Sequence, residues 1–148
     1  MKLLSKFHKI LENPYPLNFN ILKNITGAIT FGAFVFLFLI IFKPFGLQAF
    51  SGKNLITLTS GYGLITAGYL IIHLLIMKSF LHEKNWTVGK EIINILIIIS
   101  MIGVCNYIYH SIYFSQTFIL IKLIKFQFET LAVSFLPILL KGRLHVSL

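Results

Sequence analysis

Long uncharged stretches dominate the pattern of polar and apolar positions along the chain. Residues 24–42, 54–77 and 92–121 contain no Lys, Arg, Asp or Glu, and they hold 19, 24 and 30 residues. Because an α-helix rises about 1.5 Å per residue, roughly 20 residues cross the ~30 Å hydrocarbon layer of a bilayer. The pattern therefore predicts three transmembrane helices, and we expect the third to end near His110, where Tyr, Ser and Gln side chains make the sequence amphipathic. The predicted spans are about 24–42, 54–77 and 92–110.

A fourth hydrophobic segment is interrupted by polar residues. Only ten residues, 131–140, are free of strongly polar side chains, which is too short to cross a bilayer. A helix over about 122–140 reaches the required length if Lys122 and Lys125 extend to the interface and Glu129 finds a partner. We interpret this segment as a short fourth span, with a re-entrant or surface helix as the alternative.

Composition agrees with a membrane environment. Of the 148 residues, 57% are hydrophobic and 11% are charged, whereas about a quarter of a soluble domain is charged. A small soluble globule needs more polar residues than this to cover its surface. The sequence therefore excludes a soluble monomer and also intrinsic disorder, and it predicts the lipid bilayer as the partner of the apolar surface.

The net charge is +9, and the positions of the Lys and Arg residues along the chain indicate the membrane topology. Nine Lys and Arg fall before span one, between spans two and three, or after span four, and four fall on the opposite side. The positive-inside rule then places both termini in the cytoplasm. We predict an all-α, polytopic protein of the bacterial inner (cytoplasmic) membrane, built as a bundle of four transmembrane helices. Its parts are a cytoplasmic segment at 1–23, a membrane domain at 24–140 and a short basic tail at 141–148.

Small residues recur at helical spacing in the first two spans. Ala28 and Gly32 lie four residues apart in span one, and Ser60, Gly63 and Ala67 share one face of span two. Small side chains let membrane helices approach closely. We expect these stripes to bring spans one and two together or to support a homodimer, although small residues are also common in membrane helices that do not use them.

Few side chains inside the spans carry chemistry. The intramembrane polar candidates are His73, Asn106, His110 and Glu129. An ionisable group in a membrane is a functional candidate by default, but His73, His110 and Glu129 lie near the predicted membrane edges, so we expect structural roles for them and apolar residues at the centre of the bilayer. Cys105 is the single cysteine, so no disulfide or metal site is predicted. No catalytic motif or cofactor site is present, and we do not expect an enzyme.

Four residues are predicted to fix helix ends at the membrane interface. Pro44 disfavours helical geometry at Lys43 and should end span one there. Trp86 suits the headgroup region because its indole has an apolar body and a polar tip, and Lys90 adds a cytoplasmic charge. Thr87 is a candidate N-cap for span three.

Several stretches resemble the N-terminal membrane module of LytTR-type transcriptional regulators. In those proteins four transmembrane helices precede a cytoplasmic LytTR DNA-binding domain. The resemblance covers roughly residues 10 to 140, and its more specific parts are 43–47 and 86–92. The matching stretches are Asn13-Pro14-Tyr15-Pro16, Phe42-Lys43-Pro44-Phe45-Gly46-Leu47, Gly61-Tyr62-Gly63, Trp86-Thr87-Val88-Gly89-Lys90-Glu91-Ile92, Asn106-Tyr107 and Thr130-Leu131-Ala132-Val133-Ser134-Phe135-Leu136-Pro137.

The resemblance implies a membrane anchor or sensor that controls transcription. Such regulators continue into a DNA-binding domain, whereas this sequence stops at Leu148, so we expect the membrane module alone, as a truncated or frameshifted product or a fragment. We expect no nucleic-acid partner for this chain, because its last residues hold too few cations to read base edges. The alternative function is a small self-sufficient transport or pore-forming protein, which would need polar residues along a path through the bilayer centre.

Overall fold

The computed structural model describes residues 8–16, 20–44, 46–80 and 86–144, and for residues 80 and 135–144 it describes the backbone alone. Parts of the predicted N-terminal segment, at 1–7 and 17–19, and the end of the predicted basic tail, at 145–148, lie outside the described residues. Within the described ranges the chain is all-helical, apart from one isolated β-bridge and short connections. The all-α class predicted from sequence is confirmed.

Four long helices account for most of the chain. They are α1 (Ile21–Phe42), α2 (Gly52–Phe80), α3 (Val88–Tyr113) and α4 (Leu120–Leu144). Among the described residues, three helical segments are long and apolar enough to cross a membrane. These are Ile21–Phe42, Gly52–Ser79 and Val88–Tyr113, which matches the three long uncharged stretches. Large apolar side chains such as Leu64 and Ile112, both 73% exposed, cover the outside of the bundle, as lipid-facing positions require.

The helix ends follow from local sequence. The Asn20 side chain accepts a hydrogen bond from the Lys23 backbone N–H and begins α1. Lys43 adopts a left-handed conformation with φ 43° and ends α1 before Pro44, so the helix ends where the sequence predicted. Gly46, with φ 83°, continues the turn in a conformation that glycine adopts without strain.

Helix α3 is longer than the sequence predicted. It begins at Val88 rather than near residue 92, because the Thr87 hydroxyl accepts a hydrogen bond from the Lys90 N–H, as the predicted N-cap should. It ends at Tyr113 rather than near His110, and the Phe114 N–H donates to the His110 carbonyl oxygen at the last turn. The amphipathic residues after His110 thus continue the helix for one turn.

Consecutive helices pack against each other, with the most extensive contact between α1 and α2. Tyr62 pairs with His110 and Thr66 with Asn106, a register in which α2 and α3 run antiparallel. A buried apolar cluster joins α1, the following turn, α2 and α4. It consists of Val35, Leu39, Leu47, Leu55, Leu58, Tyr62 and Val133. This cluster closes one side of the cavity described below.

Candidate functional site

A cavity of about 290 Å³ lies between the four helices. Its apolar wall comes mainly from α1 and the core cluster, with Ile102 and Phe126 from the other side. Its polar wall comes from α2, α3, the 114–119 connection and α4. The polar side chains that line it are Tyr62, Thr66, Asn106, Tyr107, His110, Gln116, Lys122, Lys125, Glu129, Thr130 and Ser134. Ligand sites in proteins have this character, with mostly apolar walls and a few convergent polar groups.

Among the polar candidates predicted from sequence, Asn106 is the most buried of those that line this wall. Its side chain is 6% exposed, and its Nδ2 donates to the Thr66 hydroxyl at 3.4 Å. Its Oδ1 is buried and has no hydrogen-bond partner in the structure. A buried acceptor without a partner costs about 1–3 kcal/mol, so such an atom is retained where something else satisfies it.

His110 is held by an adjacent helix. A hydrogen bond of 2.7 Å joins its Nδ1 to the hydroxyl of Tyr62, which is 5% exposed. The imidazole also packs against the rings of Phe114 and Phe126. These contacts fix the ring at the cavity wall and connect α2, α3 and α4.

The charged residues of the cavity lie on one face of α4. Lys122, Lys125 and Glu129 follow each other at intervals of three and four residues, so they lie on one side of the helix. Both lysines are exposed, and Glu129 is half-buried. The Lys122 Nζ donates to Gln116 Oε1 at 3.2 Å, which is a neutral partner. Two cations against one anion leave the lining positively charged.

The connection between α3 and α4 is pinned to the cavity wall by Tyr107. Its hydroxyl donates to the Ile119 carbonyl oxygen at 3.1 Å and accepts from the Ile119 N–H at 3.0 Å. The Tyr107 side chain is 2% exposed and packs edge-on against Phe118. This residue therefore sets where α4 begins relative to α3.

The structure brings three of the four intramembrane polar candidates together. Asn106, His110 and Glu129 all line the cavity, whereas His73 does not. His73 lies further along α2, where its Nε2 is 2.9 Å from Asn94 Oδ1 and its ring stacks on Tyr69.

The interior of the bundle contains a buried polar contact that the sequence did not predict. Thr66 lies at the middle of α2, is 1% exposed and forms a hydrogen bond with Asn106 of α3. Polar residues of α2 at positions 62, 66, 69 and 73 follow a spacing of four, three and four, which places them on one face. Their partners on α3 explain why this face can be polar. The spacing was the signal in the sequence that could have indicated Tyr62 and Thr66.

The small-residue stripes of α1 and α2 meet within one chain. A methyl group added at Gly32 would lie 2.5 Å from the Gly63 carbonyl oxygen and 2.7 Å from the Ala67 Cβ. Ala28 is also buried, at 4% exposure. Ser60 is half-buried and donates to the Thr57 carbonyl oxygen of its own helix. Gly32 and Gly63 therefore make their close contact with each other, within one chain.

The predicted interface anchors lie at opposite ends of the bundle. Lys43 and Pro44 form the turn after α1, and the Pro44 carbonyl oxygen accepts from the Leu47 N–H. Trp86 precedes α3, where its indole N–H donates to Glu91 Oε2 at 2.9 Å. Lys90 is exposed in the first turn of α3.

Two of the stretches that carry the resemblance contact each other. Residues 13–15 form an antiparallel bridge with residues 86–88: the Tyr15 N–H donates to the Trp86 carbonyl oxygen, and the Val88 N–H donates to the Asn13 carbonyl oxygen, both at 3.0 Å. A methyl group at Gly89 would lie 3.2 Å from the Leu11 carbonyl oxygen. The segment before α1 is thereby attached to the start of α3.

Comparison of the chain with protein-family models, curated proteins and solved structures finds no match.

Proposed function

We propose that this chain is the membrane-embedded sensor module of a LytTR-type transcriptional regulator, located in the bacterial inner membrane. The observation that carries the proposal is the cavity with its buried, unpartnered Asn106 oxygen. A passive anchor needs no such site, whereas a sensor needs a place where a signal molecule changes helix packing. The resemblance of the quoted stretches to LytTR-type membrane modules supplies the downstream output, and DNA binding is not assigned to this chain.

The proposal includes α4 as a fourth span. Two of its polar side chains face protein: Gln127 Nε2 donates to the Ser100 carbonyl oxygen of α3 at 2.8 Å, and Glu129 lines the cavity. Other side chains of α4 are apolar and exposed, with Ile121 75% and Phe128 69% exposed. A helix of 25 residues is about 37 Å long, which is enough to cross the hydrocarbon layer.

Reporter tags test this topology. With four spans and the observed excess of Lys and Arg at one side, tags at residue 1 and residue 148 should both report the cytoplasm. A tag inserted at Gln48, in the connection between α1 and α2, is the matched control and should report the periplasm. A periplasmic C-terminus would contradict the four-span arrangement.

A fusion tests the signalling role. We would join the full chain to a reporter transcription factor and compare the parent with Asn106→Leu, which removes the unpartnered oxygen while keeping the branching and the number of non-hydrogen atoms of the side chain. A sensor predicts a changed reporter level in Asn106→Leu at equal membrane abundance, and an unchanged level in the exposed control Asn54→Leu. Equal reporter levels in all three would contradict a sensory role for the cavity.

A homodimer remains part of the proposal. Because Gly32 and Gly63 contact each other within the chain, self-association would use other, lipid-facing residues. Single-cysteine cross-linking, with Cys105 replaced by Ser and cysteines placed at the exposed positions Ile29 and Leu64, measures this directly. Absence of cross-linked dimers from every lipid-facing position would remove the dimer from the proposal.

The row of polar residues along α2 favours a second candidate, a small transport protein. Tyr62 and Thr66 at the cavity continue toward Tyr69 and the His73–Asn94 pair. A transporter predicts solute or proton flux through liposomes that contain only this chain, and loss of that flux in His73→Leu or Glu129→Gln. A sensor predicts flux equal to that of empty liposomes.

A further inference from the structure

The volume of the cavity indicates how much of a ligand it can enclose. An engineered cavity of ~150 Å³ accommodates benzene, which has six non-hydrogen atoms. A volume of about 290 Å³ is therefore suited to roughly a dozen non-hydrogen atoms, and it lies near the lower end for small-molecule sites. Side chains of Phe31, Val35 and Ile102 in the wall favour an apolar body for most of these atoms.

The charge of the residues that line the cavity determines which charged group of a ligand it would favour. Lys122 and Lys125 lie on the same face of α4 as Glu129; both lysines are exposed, whereas Glu129 is half-buried. Lys122 donates to a neutral amide oxygen, so its positive charge is not cancelled by that bond. An anionic group at the lysine end would gain charge-assisted hydrogen bonds there.

Asn106 adds a requirement for a hydrogen-bond donor. Its Nδ2 is already used by Thr66, so its unpartnered Oδ1 is left to accept. The Thr66 hydroxyl donates to the Tyr62 carbonyl oxygen at 2.8 Å and is not free to donate to Asn106. A ligand that carries an N–H or O–H would satisfy this oxygen, whereas a plain hydrocarbon chain would leave it unsatisfied.

We propose that the cavity binds a small anionic amphiphile that carries one N–H or O–H donor, with its charge at Lys122 and Lys125 and its donor at Asn106. The inference names the ligand class of the sensor site and so rests on the proposed function. Two sources supply this chemistry: free N-acyl or hydroxy acids, and anionic lipid head groups that carry hydroxyls, such as phosphatidylglycerol.

Three probes test whether the ligand must carry a hydrogen-bond donor. N-octanoylglycine has a carboxylate, one amide N–H and an apolar tail, and octanoyloxyacetate replaces only the N–H by oxygen. N-hexanoyl-4-aminobutyrate is an isomer of the first probe with the N–H two carbons further from the carboxylate. Radiolabelled probes would be measured on the full chain in phosphatidylcholine nanodiscs, with empty nanodiscs as the baseline.

We expect at least one amide probe to bind about tenfold more tightly than the ester, which is the size of one satisfied buried acceptor. In Asn106→Leu this preference should disappear, and in the control Asn54→Leu it should remain. An ester that binds as well as both amides, or a preference that survives Asn106→Leu, would overturn the assignment of the donor.

Charge variants test the head group. Lys122→Gln should weaken the binding of each probe that binds the parent several-fold, and Glu129→Gln should tighten it. Lys53→Gln changes an exposed lysine that does not line the cavity, and it should leave the binding unchanged. A decyl chain with a trimethylammonium head should compete poorly. Better competition by this cation, or tighter binding in Lys122→Gln, would overturn the proposal of an anionic ligand.

Nanodiscs with phosphatidylglycerol separate the two sources. If this lipid displaces the probes from the parent and not from Asn106→Leu, it supports the inference with the bilayer as the source. Undiminished probe binding supports a free amphiphile. These binding assays do not depend on transcription, so a cavity that binds while the reporter fusion stays silent would contradict the sensor role and not the ligand class. A responsive fusion without probe binding would contradict only the ligand class.

Discussion

Helices α1 and α2 meet through glycine, whereas α3 and α4 meet through long polar side chains. At the first contact Gly32 and Gly63 bring two backbones together, with no space for even a methyl group. At the second, the side chain of Gln127 fills the space above Gly103 and donates to the Ser100 carbonyl oxygen. Close backbone packing allows one arrangement, while hydrogen bonds made by flexible side chains can be exchanged. The comparison suggests a fixed half of the bundle and an adjustable half, with the cavity between them.

The largest expected effect comes from breaking the fixed half. Gly32→Ile should destabilise the fold by about 3 kcal/mol or more, because its Cβ would lie 2.5 Å from a backbone oxygen that has no room to move. Gly27→Ile is the matched control on the same helix, since a Cβ there meets nothing within 4 Å. Thermal unfolding in detergent, followed by circular dichroism, would compare the two variants. Equal stability of both would contradict the close contact between α1 and α2.

The sequence allowed much of this fixed half to be predicted. Uninterrupted apolar runs predicted the three helices confirmed as candidate spans, and Lys43-Pro44 predicted the end of the first. Because Ala28 and Gly32 lie four residues apart, Gly32 could be identified from the sequence alone as part of a small-residue helix face. That the partner is Gly63 of the same chain is a property of the tertiary arrangement, which no local pattern specifies.

The cavity was much harder to predict. Its polar residues come from separate helices, and each looks isolated in the sequence. Asn106 and Glu129 lie 23 positions apart and belong to different predicted helices, although both line one space. The contact of Thr66 with another helix could not be predicted, because a single hydroxyl in a hydrophobic run normally forms its hydrogen bond within its own helix. Thr66 does so with Tyr62, and it also accepts from Asn106.

A smaller effect is expected from loosening the adjustable half. Gln127→Leu removes the hydrogen bond to Ser100 and should cost about 1 kcal/mol, the usual size of such a bond between membrane helices. Amide hydrogen exchange should increase in α4 and stay unchanged in α1 and α2, since the glycine contact is untouched. Gln48→Leu, at an exposed position in the connection after α1, is the control. Increased exchange across all four helices would mean that the two halves unfold together, and it would remove the distinction between them.

The smallest expected change in stability has the opposite sign. Asn106→Leu replaces a buried amide whose oxygen has no partner by an apolar side chain of similar size, and it should raise the free energy of unfolding by up to about 1 kcal/mol. The same variant should lose its preference for ligands with an N–H, because that preference depends on the oxygen removed. Stability would be measured without added ligand, in zwitterionic detergent, alongside Asn54→Leu. The variant also loses the hydrogen bond from Asn106 Nδ2 to Thr66, which is worth about 1 kcal/mol. A destabilisation larger than this would show that Oδ1 already has a partner in the empty protein, and the cavity would then be a packing defect of the adjustable half rather than a site kept for a ligand.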